Sequence, residues 1–209
     1  MARAARQPIG GTGVSGNPAW RVNRPAAIGL CHFETGIGDC ALAWSDAGVV
    51  AIQLPEPDVA STLERLLRGL PMQQTVSELL AARPPQTALD AMHGTQALLR
   101  GEALGLTDIE LDMRGVPEFA IRVYALTRAI APGDTRTYGE LARELGDVNL
   151  SRAVGQALGG NPFAPVIPCH RVLAAGDRSG GFSSHGGAEQ KLRMLAIEGA
   201  CPGGTLPLF

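Results

Sequence analysis

The stretch Asn161–Leu173 reads NPFAPVIPCHRVL and sets Cys169 directly beside His170, between Pro168 and Arg171. The thiolate is the reactive form of cysteine, and a neighbouring base can generate it. The pair therefore reads as a nucleophile with its base. Two other readings compete. A free cysteine is often a small buried hydrophobe. Cys and His also bind zinc, but adjacent residues rarely converge on one tetrahedral ion, and neither C-x2-C nor H-x3-H lies nearby. Cys31, His32 and Cys40 match no standard zinc spacing either. In an extended segment adjacent side chains point to opposite faces, so Cys169 and His170 must meet through a turn or a bridging water. A third group should orient the imidazole. Glu198, at the expected end of the last helix and just before Gly199, is the candidate. The helix dipole disfavours a carboxylate there, so it needs a compensating partner or is simply solvated.

A second constellation lies upstream, in RTYGELARELGDVNLSRAVGQALGGNP. Thr137 and Glu140 match a capping box, which starts a helix at Tyr138 and carries it to about Leu145. Gly146 to Asn149 has the length of a helix-turn-helix turn. A second helix should begin near Leu150 or Ser151 and stop at Gly159-Gly160. That helix carries Ala153, Gly155, Ala157 and Gly159, with Arg152 and Gln156 as its only long polar side chains. A helix that reads base edges would hold more Arg, Asn and Gln. The pattern suits a helix fitted against nucleic acid with little sequence preference. Tight helix–helix packing would use the same small residues.

The elements around these two stretches can be read from period and punctuation. GLCHFET, CALAW and GVVAIQLP are short apolar runs separated by turn signals, which suggests an antiparallel meander. Pro57 to Leu70 reads as a helix, and a second fits Gln86 to Arg100 after the Pro84-Pro85 break. LTDIELDM alternates and could return to the sheet, and Gly115-Val116-Pro117 looks like a linker. PEFAIRVYALTRAIAPG then places Phe119, Val123, Leu126 and Ile130 on one helical stripe, and a last helix spans about Ala188 to Glu198. The fold class expected is α+β. A leader (1–26) that reads as disordered precedes a small N-terminal α/β domain with an antiparallel sheet (27–114). A mostly helical C-terminal domain (115–200) and a tail (201–209) follow.

The bulk numbers bound the function more loosely. The chain has 209 residues and a formal net charge of −2, so whole-chain charge does not announce a nucleic-acid partner. Residues 1 to 33 hold Arg3, Arg6, Arg21 and Arg24 and no acid, which suits a disordered leader, a phosphate-brushing tail or an organelle-targeting segment. No apolar run approaches the roughly 20 residues of a membrane helix, and the start lacks an apolar signal core. Cysteines 31, 40, 169 and 201 show no framework spacing and read as thiols in a reducing compartment, hence the cytoplasm.

The segments RTYGELA, SRAVGQALGGNP, IPCHRV, GGFSSHGG and KLRMLAIEG, in this order from about Phe119 onward, resemble the O6-alkylguanine-DNA alkyltransferases. The resemblance covers nearly the whole C-terminal domain and is weak before it. It implies direct repair of DNA, with the alkyl group on guanine O6 (and O4 of thymine) moved irreversibly to the protein's own cysteine. Cys169 would be the acceptor, His170 its base through a water, and Glu198 the group that holds the His170 tautomer. Tyr138 would donate to guanine N3. Arg152 would enter the stack vacated by the flipped base, with Ala153 and Gly155 of the same helix against the DNA. Asn161 would tie the helix-turn-helix to the active-site segment, and the backbone of Val172 and the Ser183 region would line the base pocket. An alkylated base inside a duplex cannot be reached without flipping, which explains a thiol and a DNA-binding motif in one domain. No cofactor is implied. The partner would be double-stranded DNA containing O6-alkylguanine, bound by a monomer with little sequence preference. Phe182 replaces a tyrosine common in the family, the FSSHGG loop is longer than usual, and Ala164 stands where some relatives carry proline on the pocket rim. Ser45 falls where some relatives place a cysteine ligand of an N-terminal zinc site, so no metal is expected. A non-catalytic binder of alkylated DNA and a thiol hydrolase are the other classes. The acceptor cysteine argues against the first, and Tyr138 and Arg152 in a helix-turn-helix argue against the second.

Overall fold

The short apolar runs of the N-terminal half pair as a meander in this computed structural model, which describes residues 24–71, 73–176 and 179–200. Strands β1 (Gly29–Thr35), β2 (Gly38–Ser45) and β3 (Gly48–Gln53) form one antiparallel sheet in that order. Successive strand residues point to opposite faces. Cys40, Leu42 and Trp44 therefore join one buried cluster while Ala41 and Ala43 join another. Both faces are covered, which is why CALAW and GVVAI are continuously apolar. On one face lie α1 (Val59–Leu67) and α2 (Val76–Ala81), through Leu66 and Leu79. On the other lie α3 (Gln86–Leu99) and the C-terminal half. Gly29 lets Trp44 cross β1, since a Cβ there would fall 2.2 Å from the indole ring.

Four features differ from the sequence reading. α1 is shorter than Pro57–Leu70 because Asp58 caps it, accepting from Ser61 N at 2.7 Å. α2 was not anticipated, although Thr75 and Glu78 form a full capping box. LTDIELDM returns to the sheet only through a single parallel bridge, Leu111 to Val49. Arg24, assigned to a disordered leader, is buried at 4% exposure: it donates to the Val50 carbonyl, and its guanidinium lies 4.8 Å from the Phe163 ring centroid. Residues 1–23 of the leader and the 201–209 tail, Cys201 included, lie outside the described residues.

The C-terminal half holds α4 (Glu118–Arg128), α5 (Tyr138–Glu144), α6 (Ser151–Gly159) and α7 (Gly187–Ile197), close to the expected bounds. Its core is continuous with the sheet. Ile52 donates to the Pro162 carbonyl at 2.7 Å and bridges Phe163, so β3 abuts the segment leading to Cys169.

Candidate active site

Two local devices place Cys169. The first is a short parallel pairing of β4 (Arg136–Thr137) with β5 (Val172–Leu173), which draws the start of α5 against the end of the PCHRVL segment. Nothing in the sequence pattern announced it. The second is Asn161. Its Nδ2 donates to the Ile167 carbonyl at 2.8 Å and its Oδ1 accepts from Phe163 N at 3.0 Å, closing the loop ahead of the cysteine. Cys169–Arg171 is a 3-10 turn, and His170 Nδ1 takes no hydrogen bond from the thiol across it.

His170 is fully buried, and its Nε2 lies 2.8 Å from Glu198 Oε1. Glu198 is the C-cap residue of α7, where the dipole opposes it. Its compensating partner is Arg171, which donates from Nε to Oε2 and from Nη2 to Oε1, both at 2.8 Å, and from Nη1 to the Ile130 carbonyl at 2.5 Å. Burial alone would push the Glu198 carboxyl up. The hydrogen bonds and charges of His170 and Arg171 outweigh it and hold the carboxyl at about 2. Glu198 is therefore ionised and can only accept, which puts the imidazole proton on Nε2 and leaves Nδ1 basic. Burial, opposed by Glu198, keeps His170 below its usual range, so the ring is neutral at pH 7. His170 Nδ1 is buried with no hydrogen-bond partner among the described residues, free to accept a proton. Burial also pushes the Cys169 thiol up, against the Asn161 amide and the Lys191 charge. The site thus stores a protonated thiol beside a neutral base.

The helix-turn-helix supplies the other wall. The expected capping box is formed, with Glu140 N donating to Thr137 Oγ1 at 3.1 Å and Thr137 N donating to Glu140 Oε2 at 2.6 Å. It fixes Tyr138 as the first residue of α5. The Tyr138 ring packs beside Gly155 of α6 and against Gly180, where φ is +66° and a Cβ would sit 3.3 Å from the ring. Burial pushes its hydroxyl up, so Tyr138 remains a donor at neutral pH.

A cavity of about 940 Å³ opens between these walls, lined by Tyr138, Arg152, Asn161, Cys169 and Ser183 and, from α1, by Arg65. Arg152 is exposed at the N-terminal end of α6. Gly155 also lines the cavity, whereas Ala153, also expected against DNA, does not. Val172 does not line it either: it is fully buried, and its carbonyl accepts from Lys191 Nζ at 2.6 Å. The sequence reading, which set the Val172 backbone against the base pocket, did not foresee this bond. It also passed over Arg171, Lys191 and Arg65. Lys191 is fully buried, 5.7 Å from the Tyr138 ring centroid, and burial pulls its ammonium down to about 8. A signal existed, because Lys191, Met194 and Leu195 fall at helical spacing on one buried stripe of α7.

Fold and site together define a helix-turn-helix protein with a thiol at the floor of a pocket. Comparison with known proteins narrows the class. Residues 118–200 match the 6-O-methylguanine DNA methyltransferase DNA-binding domain. A methylated-DNA–protein-cysteine methyltransferase of Mycolicibacterium paratuberculosis is 42% identical over 125 residues, 60% of this chain and 73% of that protein. A DNA base-flipping protein of Thermus thermophilus is 42% identical over 114 residues, 54% of this chain and 74% of that one. The crystal structure of Mycobacterium tuberculosis OGT in complex with DNA superposes with a TM-score of 0.62 at 30% identity, covering 82% of this chain and 93% of that one. The chain belongs to the methylated-DNA–protein-cysteine methyltransferase family.

Proposed function

We propose that this protein repairs DNA by direct reversal, moving the alkyl group of an O6-alkylguanine to Cys169 and remaining alkylated. The observation that carries the reading is the buried relay itself. Cys169 lines the pocket, His170 has a basic Nδ1, and Glu198 and Arg171 fix the ring from behind. His170 takes the thiol proton through a water. The sulfur attacks the alkyl carbon, and the C–O6 bond breaks with its electron pair going to the guanine. Tyr138 stabilises the departing base by donating to N3, and the proton that the guanine gains balances the one His170 took. The products are guanine in DNA and an S-alkyl cysteine. Intact-mass analysis after incubation with duplex O6-methylguanine should show the gain of one methyl, on the Cys169 peptide. The second reading, binding without transfer, draws on the base-flipping relative, and unmodified Cys169 after tight binding would establish it.

In the proposed complex the DNA lies along α6, contacted mainly through phosphate and shape, with the damaged nucleotide flipped into the cavity. Arg152 fills the stack behind it, and Tyr138 contacts the base itself. The two positions should therefore separate by substrate. Arg152→Ala is expected to slow repair of duplex DNA by about 10-fold or more, because restacking recovers a few kcal/mol, while leaving reaction with free O6-alkylguanine base nearly unchanged. Tyr138→Phe should slow both substrates. Single-turnover rates for the two variants on both substrates check this. Equal losses for Arg152→Ala would remove it from the stack-filling role.

A further inference from the structure

The pocket has a wall that the C-terminal half does not hold unaided. The segment Phe182–His185 lies between glycines with positive φ, Gly180 at +66° on one side and Gly186 and Gly187 at +81° and +52° on the other. Phe182 packs on the main core. Beyond it, Ser183 lines the pocket and is tied to the N-terminal half: Arg65 of α1 donates from its Nη2 to the Ser183 carbonyl. The same guanidinium is held from behind, with Arg65 Nε 3.2 Å from Glu56 Oε1. Glu56 is a hub. Its side chain is 10% exposed, it accepts from Gln53 Nε2 at 3.3 Å, and its Oε2 lies 3.8 Å from His185 Nδ1. Arg65 thus holds the loop at Ser183, and Glu56 approaches it two residues on, at His185.

From this we infer that the Glu56–Arg65 pair is a positioning clasp by which the N-terminal half sets the wall of the alkyl pocket, and with it the size of alkyl group accepted; the inference rests on the alkyl-transfer reading above. A loop flanked by glycines has many conformations available, and an external grip selects one. With the wall fixed, a methyl group is held in line with the sulfur. With the grip removed, Ser183 recedes, a small group loses alignment and a bulky one gains room. The effect on methyl transfer and the effect on bulky groups should therefore have opposite signs, which neither loss of a phosphate contact nor general destabilisation produces.

The experiment compares single-turnover rates on duplexes carrying O6-methylguanine and O6-benzylguanine. The full-length wild type is used with Arg65→Ala, Arg65→Lys, Glu56→Gln and Glu56→Ala. Transfer of either group to wild-type Cys169 is scored first by mass, so failure there counts against the proposed function and not against the clasp. Arg65→Ala should slow methyl transfer about 10-fold, as expected for a misplacement of under an ångström, and raise the benzyl-to-methyl rate ratio about 5-fold or more. Glu56→Ala should move the ratio the same way, and Arg65→Lys and Glu56→Gln should retain part of the wild-type ratio. An Arg65→Ala ratio equal to wild type, whether both rates fall together or neither changes, would overturn the clasp. Should Arg65→Ala not fold, the Glu56→Gln and Arg65→Lys ratios decide the matter by the same criterion.

Discussion

Cys169→Ser should abolish alkyl transfer while leaving the affinity for undamaged duplex DNA within about two-fold, since surface and backbone contacts to DNA are untouched. The substitution is nearly isosteric, and Cys169 is 8% exposed at the pocket floor, so the fold has no reason to change. What changes is the acid. Burial already pushes the Cys169 thiol up, and a serine hydroxyl, intrinsically far harder to ionise, would lie beyond the reach of a neutral imidazole. The prediction has a stoichiometric counterpart. The thioether carries no good leaving group, so the free thiol is not regenerated. With excess methylated duplex, product should plateau at one equivalent of wild-type protein. Sustained turnover would contradict irreversible transfer, and residual transfer in Cys169→Ser would move the acceptor elsewhere.

Local sequence carried much of this site. The capping box at Thr137 and Glu140, the small-residue helix and the Cys-His pair are all written within a few residues, and each formed where spacing put it. What sequence could not show were contacts whose partners lie far apart. The pairing of Arg136–Thr137 with Val172–Leu173 is only two residues long on each side, too short to leave a period. Arg65 and Ser183 are separated by 118 residues, and α1 reads simply as an amphipathic helix. The bond at the Val172 carbonyl was hidden for a similar reason. That carbonyl accepts from Lys191, 19 residues further on, and a lysine is seldom fully buried unless paired. Glu198 was legible as a candidate because it ends a helix, but its choice between solvent and relay depended on Arg171. That residue sits in the PCHR motif, and its side chain turns toward the helix end.

Glu198→Gln should therefore have two separable effects. A glutamine keeps the volume and one acceptor, but it cannot neutralise Arg171, whose side chain is 5% exposed. Breaking a buried pair by removing one partner costs about 3–5 kcal/mol. For a chain of this size that corresponds to a fall in melting temperature of roughly 10 °C. The pH dependence follows from the Glu198 carboxyl, whose pKa is lowered from 4.5 to about 2 in the fold. A depressed carboxyl pKa contributes stability that is fully present above the unfolded value and lost as pH falls through the folded one. The gap in melting temperature between wild type and variant should thus be widest above pH 4.5 and narrow toward about 2. The second effect is on chemistry. A glutamine can present either its oxygen or its amide to His170 Nε2, so the ring loses its enforced tautomer, and Nδ1 is no longer the obligatory base. Single-turnover transfer, measured well below the variant's melting temperature, should slow by about 10²–10⁴-fold. Arg171→Leu provides the contrast. It leaves the Glu198 carboxylate facing His170 alone, which favours the imidazolium, so its transfer rate should be depressed at pH 6 and recover as pH rises. A folded Glu198→Gln protein that transfers at the wild-type rate would reduce the carboxylate to a structural counter-ion for Arg171.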